Sequence, residues 1–244
     1  MEKIKKGDMI PYRFNPFEMD LLKRLSFNVY LKNNHFEMNR WPVIYWGDFD
    51  RSIDGGNRRK TSDVDERIDS DYSRYDIDLL GCYLYSSNEE GYIEIYGNRI
   101  HECAKDIAYA LNLDFEITRR LLQTIVLLHE IGHWFSHGCF KEYRNHRMYV
   151  FTHQTKEIKE TIAQLSVMWS VLGLQNKKVK SLLEIMSYLS QNQSWPYRQY
   201  LKMGNDYKKK STILNRYVNL LDLENSDLNY LLLKNKRPDP YRRF

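Results

Sequence analysis

The longest apolar pattern in the chain lies between residues 114 and 137. Ile117, Leu121, Leu122, Ile125 and Leu128 recur at three- and four-residue intervals, the period of one face of an α-helix. Asp114 can cap this run, Glu116 in its first turn suits the positive end of a helix, and Gly138 supplies a stop. The pattern therefore predicts a helix ending near His137. Shorter helical patterns cover 16–27, where Phe17, Leu21, Leu22 and Leu25 recur, and 98–111, with Asn98 as its cap. Another runs from Thr155, as cap, to about Gly173, and further helices are expected near 177–190, 195–203, 206–222 and 226–235. Ser194 followed by Trp195-Pro196 is a start signal, because proline suits the first helical turn. Strand alternation marks Tyr92–Tyr96, where Ile93 and Ile95 alternate with Tyr92, Glu94 and Tyr96 as in a sheet with one face buried. With Leu79–Ser86 across the turn-like 87–91, it predicts an antiparallel hairpin.

Residues 1–46 mix aromatic and polar positions, and 47–77 break the pattern altogether. Asp48, Asp50, Asp54, Asp63, Asp65, Asp69 and Asp71 crowd a stretch with few apolar residues, which reads as a mobile acidic loop; the residue order of a calcium-binding EF-hand is missing. The expected class is α+β, mostly α, with a small antiparallel sheet packed on a helical core. Three segments are expected: 1–77 with the acidic loop, a core over 78–173, and a helical extension over 174–244.

Composition narrows the possibilities only slightly. Hydrophobic residues at 42% and charged residues at 28% are ordinary for a globular chain. The net charge of +5 sits partly in short clusters, Lys208-Lys209-Lys210 and Arg242-Arg243, which read better as solvated helix surface than as a nucleic-acid face. Cys82, Cys103 and Cys139 are odd in number and lack C-x-x-C spacing, so neither a disulfide framework nor a cysteine zinc knuckle is expected. No apolar signal region follows the basic start, and no uncharged run approaches the roughly 20 residues that cross a bilayer. A cytoplasmic protein with no membrane partner is expected.

Candidate chemistry is concentrated in Leu128-His129-Glu130-Ile131-Gly132-His133. Two histidines four apart on a helix project from one face, so both imidazoles reach a single metal ion. Glu130 points a little aside, where it can touch a water on that ion without ligating it; a general base needs that position. A third ligand is required, and Glu160, Glu157, His153 and His137 are the candidates. Glu160 is preferred: it sits amid Ile158, Ile162, Leu165 and Trp169, and Ala163 at i+3 lets two helices approach closely. The longer metzincin pattern fails, because Ser136 and Cys139 stand where glycine and histidine are needed.

A helix bearing His129-Glu130-Ile131-Gly132-His133 and a later one bearing Glu160-Thr161-Ile162-Ala163 resemble the gluzincin zinc metallopeptidases. The run through Trp134-Phe135-Ser136-His137 is similar to the minimal intracellular gluzincins of the ImmA/IrrE type, which often carry a histidine at the His137 position. After Glu160 this chain has Ala163-Gln164-Leu165-Ser166 where that group tends to have Ala-Asn and then Phe-Ala. The resemblance spans about 78–172 and implies a zincin-like core, Zn²⁺ held by His129, His133 and Glu160, and Glu130 as general base in peptide hydrolysis. It also implies a protein or peptide substrate added to a free edge of Tyr92–Tyr96. His153, Tyr149, Tyr197 and Tyr200 are possible donors to the oxyanion. Two other readings stand beside it: an interaction protein with a structural zinc, and a nucleic-acid binder using the C-terminal basic clusters.

Overall fold

A computed structural model describes residues 10–25, 42–47, 73, 75–85, 91–137, 156–171 and 174–198. Within these the chain runs β1 (Ile10–Pro11), α1 (Pro16–Leu25), β2 (Val43–Gly47), a 3₁₀ turn (Ile77–Leu79), β3 (Gly81–Leu84) and β4 (Tyr92–Tyr96). It continues through α2 (Gly97–Leu111), α3 (Phe115–His137), α4 (Lys156–Val171), α5 (Lys177–Asn192) and the one-turn α6 (Trp195–Arg198). The class is α+β and mostly helical, as expected. The helices expected at 206–222 and 226–235, Thr155, Gly138 and the acidic loop over 48–72 lie outside the described residues.

The sheet departs from the expected antiparallel one. Its order is β1-β2-β4-β3, and it is mixed: β3 and β4 form the antiparallel hairpin, but β2 pairs with β4 in parallel, from Val43 opposite Tyr92 to Gly47 opposite Tyr96. The chain between β2 and β4 contains β3, which takes one side of β4 and leaves the other for β2. Tyr92–Tyr96 is thus an interior strand with no free edge, and the expectation that substrate adds to it is overturned. Among the described residues the outer strand on that side is β3. Nor is one face of β4 solvated beyond its first residue, the exposed Tyr92. Glu94 and Tyr96 are as buried as Ile93 and Ile95, and the Tyr96 hydroxyl donates to Glu94 Oε2 at 3.1 Å.

Helix ends follow local chemistry. Asn98 does not cap α2; the chain passes from β4 into the helix through Tyr96, so Asn98 already lies inside the first turn. Asp114 does cap α3, its Oδ1 accepting from the Ile117 amide at 2.8 Å, and Asn176 caps α5 in the same way through Val179. Helix α1 begins with a reciprocal box: the Glu18 amide donates to Asn15 Oδ1 and the Asn15 amide to Glu18 Oε2, both at 2.9 Å.

Helix α3 is the axis of the structure. It lies against β3 and β4 and is flanked by α2, α4 and α5. From Thr124 to His137 every residue is buried. A helix covered on all sides carries no unpaired charge cheaply, so the histidines and glutamate within this stretch need partners that compensate them. Leu21, Leu22 and Leu25 of α1 and Ile44 of β2 belong to the same hydrophobic core as Ile125, Leu128 and Ile131 of α3.

Gly132 sets how closely the two ligand-bearing helices approach. A Cβ there would lie 2.9 Å from the Ala163 Cα and 2.8 Å from the Ser166 Oγ of α4. Alanine in place of a helical glycine ordinarily gains about 1 kcal/mol. Here Gly132→Ala is expected to cost about 1–2 kcal/mol net, because overpacking forces backbone to move. Chemical denaturation of the two proteins checks the sign, and a more stable Gly132→Ala protein would refute the close approach.

Candidate metal centre

The α3–α4 contact brings the predicted ligands to one point. His129 Nε2 lies 3.0 Å from Glu160 Oε2 and 3.1 Å from His133 Nε2, and His133 Nε2 lies 3.5 Å from the same carboxylate oxygen. Donor atoms at about 2.05 Å from a shared tetrahedral ion sit roughly 3.3 Å apart, so these three separations describe one face of such a site. All three side chains are buried. Two imidazole nitrogens with carboxylate oxygen form a donor set that suits zinc and neighbouring transition metals.

The electrostatics carry the same message. Burial alone would raise the Glu160 carboxyl, yet the imidazoles of His133 and His129 hold it well below the usual carboxylate range. Burial pulls His133 down, but the carboxylates of Glu160, Glu130 and Asp78 outweigh it and lift the imidazole to about 9. For His129 burial wins, and its imidazole is held low. The pocket therefore stabilises positive charge between Glu160 and the two imidazoles, where a proton or a metal cation satisfies it.

Glu130 stands beside this face. Its carboxyl is buried, which raises it to about 8. The Tyr83 amide of edge strand β3 donates a hydrogen bond to it, while its Oε1 has no hydrogen-bond partner among the described residues. One oxygen is fixed and the other is left for a ligand or water, which is how a proton-transfer group is presented. Glu130 is close to the cluster without belonging to the group of side chains whose donor atoms converge.

Asp78, which the sequence reading missed, completes that group. One donor atom from each of Asp78, His129, His133 and Glu160 lies within 4.8 Å of every other. Asp78 sits in the 3₁₀ turn before β3 and is buried. Its Oδ2 is 3.4 Å from Lys156 Nζ, one helical turn before Glu160 on α4. The Lys156 ammonium lies 5.0 Å from the centre of the Tyr197 ring. Tyr197, on α6, is fully buried and near Asp78 and Glu160; burial first, then these carboxylates and Asp76, hold its hydroxyl well above the usual phenol value.

A clasp holds α6 over this site. Asp76 accepts from the Ser194 amide and hydroxyl, both at 2.7 Å, and from the Ser73 amide at 3.2 Å. Burial outweighs these donors and raises the Asp76 carboxyl to about 6 from an ordinary 3.8. The folded chain thus holds this proton more tightly than the unfolded one. The resulting stabilisation is fully present below about 4 and is lost as pH rises through about 6. Relative to Asp76→Asn, the natural chain is expected to lose stability over this window; denaturation at pH 4, 5 and 6 measures it, and parallel curves would refute the assignment.

The other candidates fall elsewhere. Glu157 is half-buried on α4 and does not join the cluster. His137 is fully buried, but its Nδ1 pairs with the Tyr83 hydroxyl at 2.9 Å and its ring packs 4.8 Å from Tyr85. Of the possible oxyanion donors, Tyr197 is at the site, while His153, Tyr149 and Tyr200 lie outside the described residues, as do the basic clusters at 208–210 and 242–243. Asp78 left little trace in the sequence, because it stands between the loop expected over 47–77 and the strand expected from Leu79 and shares no spacing with His129 and His133. A surface groove of about 420 Å³ lined by Pro11, Tyr12, Arg13, Trp46 and Gln123 shares no residue with the cluster. Among the described residues Cys82 and Cys103 are buried and form no disulfide, and no helix is long and apolar enough to cross a membrane.

No protein-family model matches the chain, and comparison with curated proteins and with solved structures finds no match.

Proposed function

We propose that the chain is a zinc-dependent peptidase, with a zincin-like core, that hydrolyses peptide bonds of an intracellular protein substrate. The observation that carries this reading is the pairing of a three-donor face, His129, His133 and Glu160, with a separate buried carboxyl, Glu130, that keeps one oxygen unpartnered among the described residues. A site built only to hold a structural ion has no use for Glu130, whose burial is costly. When bound, a divalent ion at such a site acidifies water and polarises a carbonyl oxygen.

The chain's own groups supply the rest. Glu130, oriented by the Tyr83 amide and ionised once a divalent cation lies beside it, would take a proton from the attacking water and return it to the leaving amine. The Tyr197 hydroxyl, kept protonated by its surroundings, can donate a hydrogen bond to the oxygen on which negative charge develops. Strand β3, next to Glu130 and outermost in the sheet among the described residues, is the edge along which an extended peptide can add.

The test is cleavage of a proteome-derived peptide library. Activity is expected with zinc, none after chelation, and recovery when zinc is restored. Cleavage that persists through chelation would remove the metal from the reaction.

One observation favours a second reading. Asp78 gives the cluster a fourth protein donor, and four protein donors are the mark of closed, structural zinc sites. A non-catalytic interaction protein with such a site would bind metal and cleave nothing in the same library.

A further inference from the structure

Asp78 has no part in the hydrolysis just described, yet it is buried within reach of every group that does. We propose that Asp78 is a latch: in the resting chain its carboxylate is the fourth protein donor to the ion, and the site opens when that carboxylate turns to Lys156. This rests on the peptidase reading and adds a regulatory step to it.

Three observations support the latch. The first is charge. Among the ligands, two neutral imidazoles and the Glu160 carboxylate leave a divalent ion with one net positive charge in a buried site, and such charge is costly. A second carboxylate cancels it, and Asp78 is the acid whose donor atom lies within 4.8 Å of all three others.

The second is the looseness of its contact with Lys156. At 3.4 Å, the Lys156–Asp78 separation exceeds the 2.7–2.9 Å typical of a charge-assisted hydrogen bond. Lys156 keeps 20% of its side-chain surface in contact with solvent and also faces the Tyr197 ring, so losing Asp78 would not strand it in the interior. Lys156 is thus a partner that can accept or release the carboxylate at low cost.

The third is anchoring. The turn carrying Asp78 is fixed before it by the Asp76–Ser194 clasp and after it by the pairing of β3 with β4. The backbone cannot carry Asp78 away from the cluster, so exchange between ion and lysine is a side-chain rotation. Arrival of a peptide on β3 would favour the carboxylate turned to Lys156 and leave its position to the water and peptide carbonyl that the proposed reaction needs.

Cobalt(II) as the probe metal reads this without reference to turnover, through its visible absorption and its dissociation constant. Asp78→Asn keeps the shape and most of the packing. It is expected to weaken cobalt binding by at least about tenfold, since even outer partners of metal ligands contribute that much. It should also let azide perturb the cobalt spectrum at concentrations at least about tenfold below those needed for the natural chain. Lys156→Met removes the competing partner and should act in the opposite direction on both readouts, which a general loss of packing would not do. Cobalt binding and azide response unchanged in Asp78→Asn would overturn the latch and leave the peptidase reading standing, as would a Lys156→Met effect in the same direction as Asp78→Asn. Failure of the natural chain to bind cobalt would overturn both.

Discussion

Replacing Glu130 by glutamine is expected to leave metal content unchanged and to lower peptide cleavage by roughly 10²–10⁴-fold, the usual worth of a positioned general base. The substitution is nearly isosteric, and Glu130 stands outside the converging donor set, so the ion's ligands are not touched. Glutamine can still accept the Tyr83 amide hydrogen bond through its carbonyl oxygen. What it cannot do is take up a proton, and the buried carboxyl is the group beside the cluster with an oxygen left over for that purpose. Steady-state cleavage of one good peptide, with metal analysis of the same sample, makes the measurement. A variant that cleaves at the natural rate would remove Glu130 from the reaction; one that loses its metal would show that Glu130 is a ligand.

His129→Ala is expected to abolish both cleavage and metal-dependent stability. His129 lies at the crossing of the cluster, within 3.1 Å of both other donors. An ion that binds only the folded chain stabilises it by about 4 kcal/mol when present at a thousandfold excess over its dissociation constant. Thermal unfolding of the natural chain should therefore shift upward with added zinc and downward with chelator, whereas the His129→Ala chain should respond to neither. Acid should oppose the zinc effect in the natural chain. The cluster without metal keeps a proton on His133, lifted to about 9, and zinc must displace it. Apparent zinc affinity is expected to rise with pH up to that value. A zinc-induced shift of equal size in the variant would show that the ion binds elsewhere.

The ligand helix was legible in the sequence because it obeys several rules together: a cap at Asp114, an apolar period over 117–128, and two histidines spaced by one turn. Glu160 was legible for a related reason, as a charge set in an apolar helix beside a small residue. Ala163 and Gly132 do pack against each other, and that contact makes 129, 133 and 160 converge. What escaped notice depended on long-range pairing. Val43–Gly47 shows no apolar–polar alternation and so does not declare itself a strand, and without it Tyr92–Tyr96 looks like an edge. Asp78 belongs to no spaced motif, and only the fold places it beside Lys156 and Tyr197. The cap at Asn98 failed because a strand feeding directly into a helix shifts the first turn toward the strand.

Zinc-edge X-ray absorption on the zinc-loaded natural chain addresses the convergence of ligands most directly. The expected spectrum contains two imidazoles and only nitrogen or oxygen neighbours, at about 2.0–2.2 Å. A sulfur shell, a single imidazole or none, or a chain that retains no zinc would contradict the assignment of His129, His133 and Glu160 to one ion.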